Sequence, residues 1–181
     1  MLQCTMGKLP GGLAARDQER MRELIRFTAR RFSTPYPSPF GALIASSSSG
    51  KLLLLATNAV LRETDPSCHA ELRAVRLAAK KLKRISLKGY TLYSTCEPCP
   101  MCMANALWAG IDRVVFGATI ADASLYCPQI HISARAVARR ADMRCRVDGP
   151  MLRALCRSLF VHPRVVKAFR ARNRAAGKLA D

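Results

Sequence analysis

Two short segments of this chain, about thirty residues apart, concentrate side chains that bind metals. The first, CHAELRA at 68–74, contains His69 and Glu71, and the second, STCEPCPMCMANALWAG at 94–110, contains three cysteines at two-residue gaps. Zinc takes His nitrogen and Cys thiolate as ligands, with four protein ligands in structural sites and three plus water in catalytic sites. A fold built around such a site has to bring these two segments together.

The second segment predicts two thiolate ligands on one face of a helix. Cys99 and Cys102 are three residues apart, so on a helix they point the same way. They lie in the predicted first turn, behind Pro98, where the helix N-terminus favours negative charge and lowers a thiol pKa. His69 begins another predicted helix and can supply a third ligand from a neighbouring element.

Glu71 is a candidate proton carrier rather than a ligand. Residues two apart on a helix do not share a face, so Glu71 need not be a ligand and can instead approach a metal-bound water from the side. Zinc lowers the pKa of bound water to about 7, and a nearby carboxylate can accept the released proton. This pattern is typical of a hydrolytic centre.

Two other interpretations of the cysteines remain open at this point. In a structural zinc site, Cys68 or Cys96 would be the fourth ligand. In a redox site, the Cys-x-x-Cys pair would act without metal. Neither interpretation explains why Glu71 stands beside His69, so the sequence favours catalysis over both.

Predicted helices alternate with predicted strands along the chain. That order favours an α/β sandwich whose sheet is covered on its faces. The apolar spacing predicts a helix at 14–32 and another carrying Leu72, Val75, Ala79 and Leu82. Short runs of strand-forming residues predict strands at 40–46, 51–58, 90–95, 113–118 and 144–149. The first two flank a serine-rich turn and are predicted to form a hairpin. Further helices are predicted at 99–108, after the N-cap Ser133, after Pro150 and in the basic terminal segment.

The length of 181 residues favours a single main domain. We predict an N-terminal extension at 1–12, the domain itself at 13–162, and a basic tail or helix at 163–181 that forms an appendage. The net charge of +18 attracts phosphates, although the arginines lack interleaved aromatics, so RNA contact is possible but not favoured. The apolar runs are too short to cross a membrane, and the start lacks the apolar core of a secretory signal, so we expect a cytoplasmic protein.

The two motifs resemble the signature of the cytidine deaminase-like superfamily. His69-Ala70-Glu71 and Pro98 to Cys102 match its His-x-Glu and Pro-Cys-x-x-Cys elements residue by residue. The resemblance covers about residues 21–160. Within the superfamily, the chain is most similar to small bacterial guanine deaminases and tRNA adenosine deaminases. It implies a three-layer α/β/α sandwich with a central mixed five-stranded sheet. It also implies zinc bound by His69, Cys99 and Cys102, with Glu71 as general acid and base.

The same resemblance implies how a substrate would bind. Asn58 would hydrogen-bond the substrate ring, the backbone around Ala70 would contact another edge, and Trp108 would either close the pocket or lie in the core. Guanine deaminases of this type carry an acidic residue in the segment that covers the pocket, where this chain has Gln129.

We therefore expect a zinc-dependent hydrolytic deaminase of a nucleobase or nucleoside, with a guanine-like aminopurine favoured and ammonia released. A tRNA adenosine-to-inosine deaminase, a cytosine or cytidine deaminase and a catalytically silent binding module are the alternatives. The resemblance also suggests a homodimer.

Overall fold

The computed structural model describes residues 11–175, in which helices and strands alternate as expected. A 3₁₀ turn at Arg30–Ser33 follows the first helix. The strands are β1 (Gly41–Ser46), β2 (Leu52–Thr57), β3 (Tyr90–Cys96), β4 (Arg113–Ala118) and β5 (Arg146–Asp148); the helices are α1 (Gly11–Ala29), α2 (Val60–Glu63), α3 (Ala70–Leu82), α4 (Pro100–Trp108), α5 (Ile120–Ser124), α6 (Ala134–Ala138), α7 (Arg153–Ser158) and α8 (Pro163–Ala175).

The five strands form one mixed sheet in the order β2-β1-β3-β4-β5. The hairpin strand β1 is antiparallel to both β2 and β3. Strands β3, β4 and β5 are parallel, with helices connecting them. Parallel neighbours need such crossover connections, which explains why the helical segments fall after β3 and β4. The predicted mixed five-stranded sheet is confirmed.

Helices cover both faces of the sheet. One face packs against α1, α7 and α8 in a core that includes Met21, Leu24 and Phe160. The other face packs against α3, α4 and α6 in a core that includes Met103 and Leu107. The three-layer α/β/α arrangement expected from the sequence is therefore confirmed.

The buried stripe of α3 differs from the predicted one. Ala70, Ala74 and Ala78 are fully buried, whereas three of the four predicted core positions are only half-buried: Leu72, Ala79 and Leu82. Small side chains on the inner face let the helix approach the sheet closely, and the larger apolar residues fall at its margins. This close approach sets the position of the residues at the start of α3.

A buried ion pair fixes α1 against the sheet. The Asp17 carboxylate accepts hydrogen bonds from the Arg113 guanidinium at 2.9 and 2.7 Å and from the Tyr93 hydroxyl at 2.7 Å. Arg113 also donates to Asp148 at 2.6 Å. A buried charge needs this degree of pairing, and the network links α1 to β3, β4 and β5.

The basic terminal segment, expected to be an appendage, is part of the core as far as it is described. Val165 and Phe169, four residues apart on α8, are buried against the face that holds α1. The Asn173 side chain donates to the Tyr126 carbonyl at 3.2 Å. Most of the predicted extension at 1–12, and residues 176–181, lie outside the described residues. Within 11–175, no helix is both long and apolar enough to cross a membrane.

Candidate active site

The structure places the predicted ligands at the starts of two neighbouring helices. His69 is the N-cap residue of α3 and Cys99 is the N-cap residue of α4, both with extended backbone. Cys102 lies in the first turn of α4, where Pro100 occupies the first helical position. A proline is tolerated there because its missing N–H would have no partner within the helix.

The three side chains converge on one point. Nδ1 of His69 lies 3.6 Å from Sγ of Cys99 and 3.6 Å from Sγ of Cys102. Zn–N and Zn–S bonds of about 2.1 and 2.3 Å in a tetrahedral centre separate nitrogen from sulfur by about 3.6 Å. The donor types and their spacing therefore fit a zinc ion.

Within residues 11–175, no fourth protein ligand joins this cluster. The Cys96 thiol donates instead to the Thr119 carbonyl at 3.8 Å. The Cys68 thiol donates to carboxylate oxygens of Glu63 and Asp65, at 3.0 and 3.1 Å. A three-residue set leaves one tetrahedral position for water, which is the arrangement of catalytic rather than structural zinc.

Glu71 lies beside the cluster on the first turn of α3 and is buried. Its carboxylate accepts a hydrogen bond from the Ser94 hydroxyl at 3.1 Å and one from the Cys102 thiol at 3.8 Å. Burial raises the pKa of Glu71 above its ordinary value, and the hydrogen bond from Ser94 opposes that rise. A carboxyl group whose pKa is raised binds a proton more readily, which suits a group that accepts a proton and later returns it.

The two thiols differ strongly in acidity. A hydrogen bond from Cys102, against the opposing effect of burial, lowers the pKa of the Cys99 thiol to about 4. The hydrogen bond to Cys99, together with burial, raises the pKa of Cys102. A bound dication would hold both thiols as thiolates.

A cavity of about 450 Å³ opens in front of this cluster. Its size falls within the range of about 300–1,000 Å³ that is typical of small-molecule sites. Its walls come from segments distant in sequence, which brings polar and apolar groups together around one space. The lining residues include Phe40, Asn58, Pro66, His69, Glu71, Glu97, Cys99, Cys127, Gln129, Arg172 and Asn173.

Two of the four predicted substrate contacts lie in this cavity. Asn58 follows β2, and its side-chain oxygen accepts from the backbone N–H of Val60 at 3.1 Å, which leaves the amide N–H₂ group for a ligand. Gln129 lies in the cavity wall, where its amide donates to Cys127. These two amides are neutral polar groups that can bind the edges of a base.

The other two predicted contacts are not brought to the cavity by their side chains. Trp108 is 77% exposed and lines a separate groove next to α6, so in the described chain it neither closes the cavity nor joins the core. The cause is its position at the end of α4, whose buried face is formed by Cys102, Met103, Ala106 and Leu107. The Ala70 side chain is fully buried in the core, and contact through its backbone stays a prediction.

Sequence reasoning missed three polar residues of the cavity wall. Glu97 is buried and accepts hydrogen bonds from the backbone N–H groups of Ala134 at 3.0 Å and Ile120 at 3.3 Å. Its position between Cys96 and Cys99 was the available signal. Arg172 and Asn173 come from α8, and the helical spacing of Val165 and Phe169 could have indicated that this helix packs on the domain.

Comparison with known families gives a match to the model of the cytidine and deoxycytidylate deaminase zinc-binding region, over residues 15–118. The matched region contains all three candidate ligands and Glu71. It does not contain Gln129 or α8. The comparison therefore concerns the metal centre and the sheet around it more than the far wall of the cavity.

Individual relatives have different substrates in their names. Guanine deaminase of Bacillus subtilis (strain 168) is 40% identical over 86 residues, which span 48% of this chain but only 54% of the relative. A probable cytosine deaminase of Schizosaccharomyces pombe is 32% identical over 146 residues, spanning 77% of this chain and 87% of the relative. The tRNA-specific adenosine deaminase of Bacillus subtilis is 36% identical over 104 residues, or 56% of this chain and 62% of the relative.

Solved structures agree with the fold. A guanine deaminase from Nitrosomonas europaea superimposes with a TM-score of 0.71 over 94% of this chain and 98% of its own, at 21% sequence identity. The match extends beyond the region covered by the family model. At this level of identity, it shows the same fold.

Proposed function

This chain belongs to the cytidine and deoxycytidylate deaminase family, and from that premise we propose that it hydrolytically removes the exocyclic amino group of an aminopurine and releases ammonia. The observation that carries the proposal is the convergence of His69 and two thiols at 3.6 Å, beside the buried carboxyl of Glu71 and at the floor of a cavity. A guanine-like base or its nucleoside is the favoured substrate, supported by the guanine deaminase relative.

His69, Cys99 and Cys102 would hold the zinc ion. When bound there, zinc supplies a Lewis acid that makes a water molecule nucleophilic near neutral pH. The three residues come from the starts of α3 and α4, which are fixed by the packing of both helices on the sheet. Because His69 and Cys99 line the cavity, a zinc ion that they held would be accessible from it.

Glu71 moves the protons of the reaction. It accepts one proton of the attacking water and transfers it to the ring nitrogen next to the amine-bearing carbon. It then takes the second proton from the new hydroxyl group and gives it to the amino group, which leaves as ammonia as the carbonyl forms. Its carboxylate is oriented by Ser94, which donates from β3, a strand in the middle of the sheet. The raised pKa that burial causes makes the protonated form accessible for the second half of this cycle.

Asn58 and Gln129 orient the base. The Asn58 side-chain oxygen is already engaged by Val60, so its N–H₂ group donates to a ring acceptor. The Gln129 amide can donate a hydrogen bond to one group of the base and accept one from another. Being neutral, it binds the base without adding a negative charge to the wall. Phe40 contributes an apolar surface for a flat ring and excludes water from one side.

The second candidate is deamination of adenosine in tRNA. It is supported by the tRNA-specific relative and by the net charge of +18, which favours a polyanionic substrate. Cytosine deamination is a third, supported by the probable cytosine deaminase relative. All three share the metal centre and Glu71, and they differ in what the far wall of the cavity must accommodate.

A substrate panel tests the proposal. Ammonia release is measured from guanine, adenine, cytosine and their nucleosides, and inosine formation is measured in tRNA. Glu71→Gln should retain zinc and lose about 10²–10⁴-fold in kcat, the usual contribution of general acid–base catalysis. The proposal is wrong if zinc-loaded protein deaminates none of these substrates, and the role of Glu71 is wrong if Glu71→Gln keeps near-full activity.

We further propose a cytoplasmic homodimer. The groove beside α4 and α6 is lined by Leu107, Trp108, Ile132 and Val137, and an exposed tryptophan there favours a protein partner. Among the described residues, all seven cysteines are free thiols, as suits a reducing compartment. Sedimentation should give a dimer that Trp108→Glu converts to monomer, and a wild-type monomer at micromolar concentration would contradict the proposal.

A further inference from the structure

A single basic side chain lines the active-site cavity among the described residues. Arg172 projects from α8 toward the space in front of His69, and the other lining residues include no lysine or further arginine. The helix that carries it is held by Val165 and Phe169 in the core and by Asn173, which donates to the Tyr126 carbonyl. Arg172 is therefore placed at the mouth of the cavity by the fold.

The charge of Arg172 is not neutralised within residues 11–175. Other arginines near the site share an acidic partner: Arg62 and Arg73 both contact Glu63. No carboxylate of the described chain lies within 4 Å of the Arg172 guanidinium. The positive charge of Arg172 acts on groups in the cavity. Burial raises the pKa of the Cys127 thiol, and the charge of Arg172 opposes that rise.

The space around Arg172 continues past the cavity. A smaller cleft joins the mouth and is lined by Arg172, Arg62 and Tyr36, with Asn58 and Phe40 shared between the two. No acidic side chain of the described residues lines this cleft. A base held against Glu71 would direct whatever is attached to its ring toward this basic exit.

Building on the proposed deaminase function, we propose that the substrate carries a phosphate on the sugar of the deaminated nucleoside, and that Arg172 binds this phosphate at the cavity mouth. An arginine fork suits phosphate because it donates two parallel hydrogen bonds with charge assistance. The phosphate can belong to a free nucleoside monophosphate or to the backbone of an RNA. Arg172 thus determines specificity and takes no part in the proton transfers.

Arg172 lies outside the part of the chain that the family model matches. The family model covers residues 15–118, so the shared metal centre carries no information about α8. Because Glu97 is engaged by the backbone N–H groups of Ala134 and Ile120, its charge is directed into the protein and away from the exit. The chain therefore separates an acidic, proton-transferring floor from a basic mouth.

The test compares kcat/KM for guanine, guanosine, guanosine 5′-monophosphate and tRNA, and for the adenine series, in wild type and Arg172→Gln. We expect the variant to lower the ratio of kcat/KM on a phosphorylated substrate to kcat/KM on the matching nucleoside by about 10- to 100-fold, the effect of one charge-assisted interaction. Arg170→Gln is the matched control, since Arg170 is exposed on the same helix and does not line the cavity. The mononucleotide and tRNA arms distinguish the two sources of the phosphate.

Three results would overturn the inference while leaving the deaminase function intact. The first is turnover of the free base or nucleoside without turnover of phosphorylated substrates. The second is an Arg172→Gln variant with wild-type kcat/KM on phosphorylated substrates. The third is a loss that is not specific, either equal on all substrates in Arg172→Gln or equally large in the Arg170→Gln control. If no substrate is deaminated, titration calorimetry of ligand binding to the Glu71→Gln variant still decides whether Arg172 binds a phosphate. Guanosine 5′-monophosphate should then bind at least 10-fold more tightly than guanosine, and adding Arg172→Gln should abolish the difference.

Discussion

Replacing Glu97 with glutamine should destabilise the domain and loosen the far wall of the cavity. The carboxylate accepts backbone hydrogen bonds from Ala134 and Ile120, at the starts of α6 and α5. In Glu97→Gln one oxygen remains, so one buried N–H faces the new amide N–H₂ group. An unpaired buried donor costs about 1–3 kcal/mol, and the lost charge assistance about 1 kcal/mol more.

The expected loss is therefore about 2–4 kcal/mol, which for a domain of this size lowers Tm by about 4–16 °C. Calorimetry of zinc-loaded wild type and variant measures it, with Glu19→Gln as the control. Glu19 is largely exposed, and its replacement should change the free energy of unfolding by less than about 0.5 kcal/mol. A Glu97→Gln variant as stable as wild type would refute the assignment of these two hydrogen bonds.

Two further predictions concern two separate ion pairs, Asp17 with Arg113 and Asp122 with Arg153. Asp17→Ala leaves the mostly buried Arg113 without its main partner and should cost about 3–5 kcal/mol in urea unfolding, whereas an unchanged midpoint would show that the pair is not formed. Hydrogen bonds from Arg153 hold the pKa of Asp122 well below its usual value, so its stabilising contribution is complete above the unfolded pKa of about 3.9 and is lost as the pH falls toward the folded value. Unfolding measured between pH 2 and 6 should therefore show a steeper acid loss in wild type than in Arg153→Gln, and equal slopes would contradict this account.

The metal centre could be predicted from sequence because each of its two segments carries a recognisable local pattern. Cys99 and Cys102 share a helical face by their spacing, whereas His69, thirty residues earlier, is assigned to the same site through the family resemblance. The positions of the strands along the chain could be predicted for the same reason, since each strand is a short run of strand-forming residues bounded by turns, whereas their order in the sheet comes only from the structure. Local periodicity, however, indicates only which residues are buried and not which neighbour they meet.

Trp108 and α8 illustrate where that limit lies. Nearly every residue of α4 is apolar, so no contrast in the sequence distinguished its buried face from the side on which Trp108 is exposed. Arg172 reaches the cavity because α8 folds back onto the sheet. This brings Arg172 to the same cavity as His69, although the two residues are about one hundred positions apart in the chain. The many basic residues of this segment suggested an appendage, and only the pair Val165 and Phe169 pointed to packing.

X-ray absorption at the zinc edge of the purified full chain tests the central claim most directly. One zinc ion per chain, with two sulfur neighbours at about 2.3 Å and two nitrogen or oxygen neighbours at about 2.0–2.1 Å, is the expected result. It corresponds to Cys99, Cys102, His69 and one water. Three or four sulfur neighbours would mean that another thiol, such as Cys96 or Cys68, closes the site, and a catalytic role for Glu71 would then be contradicted.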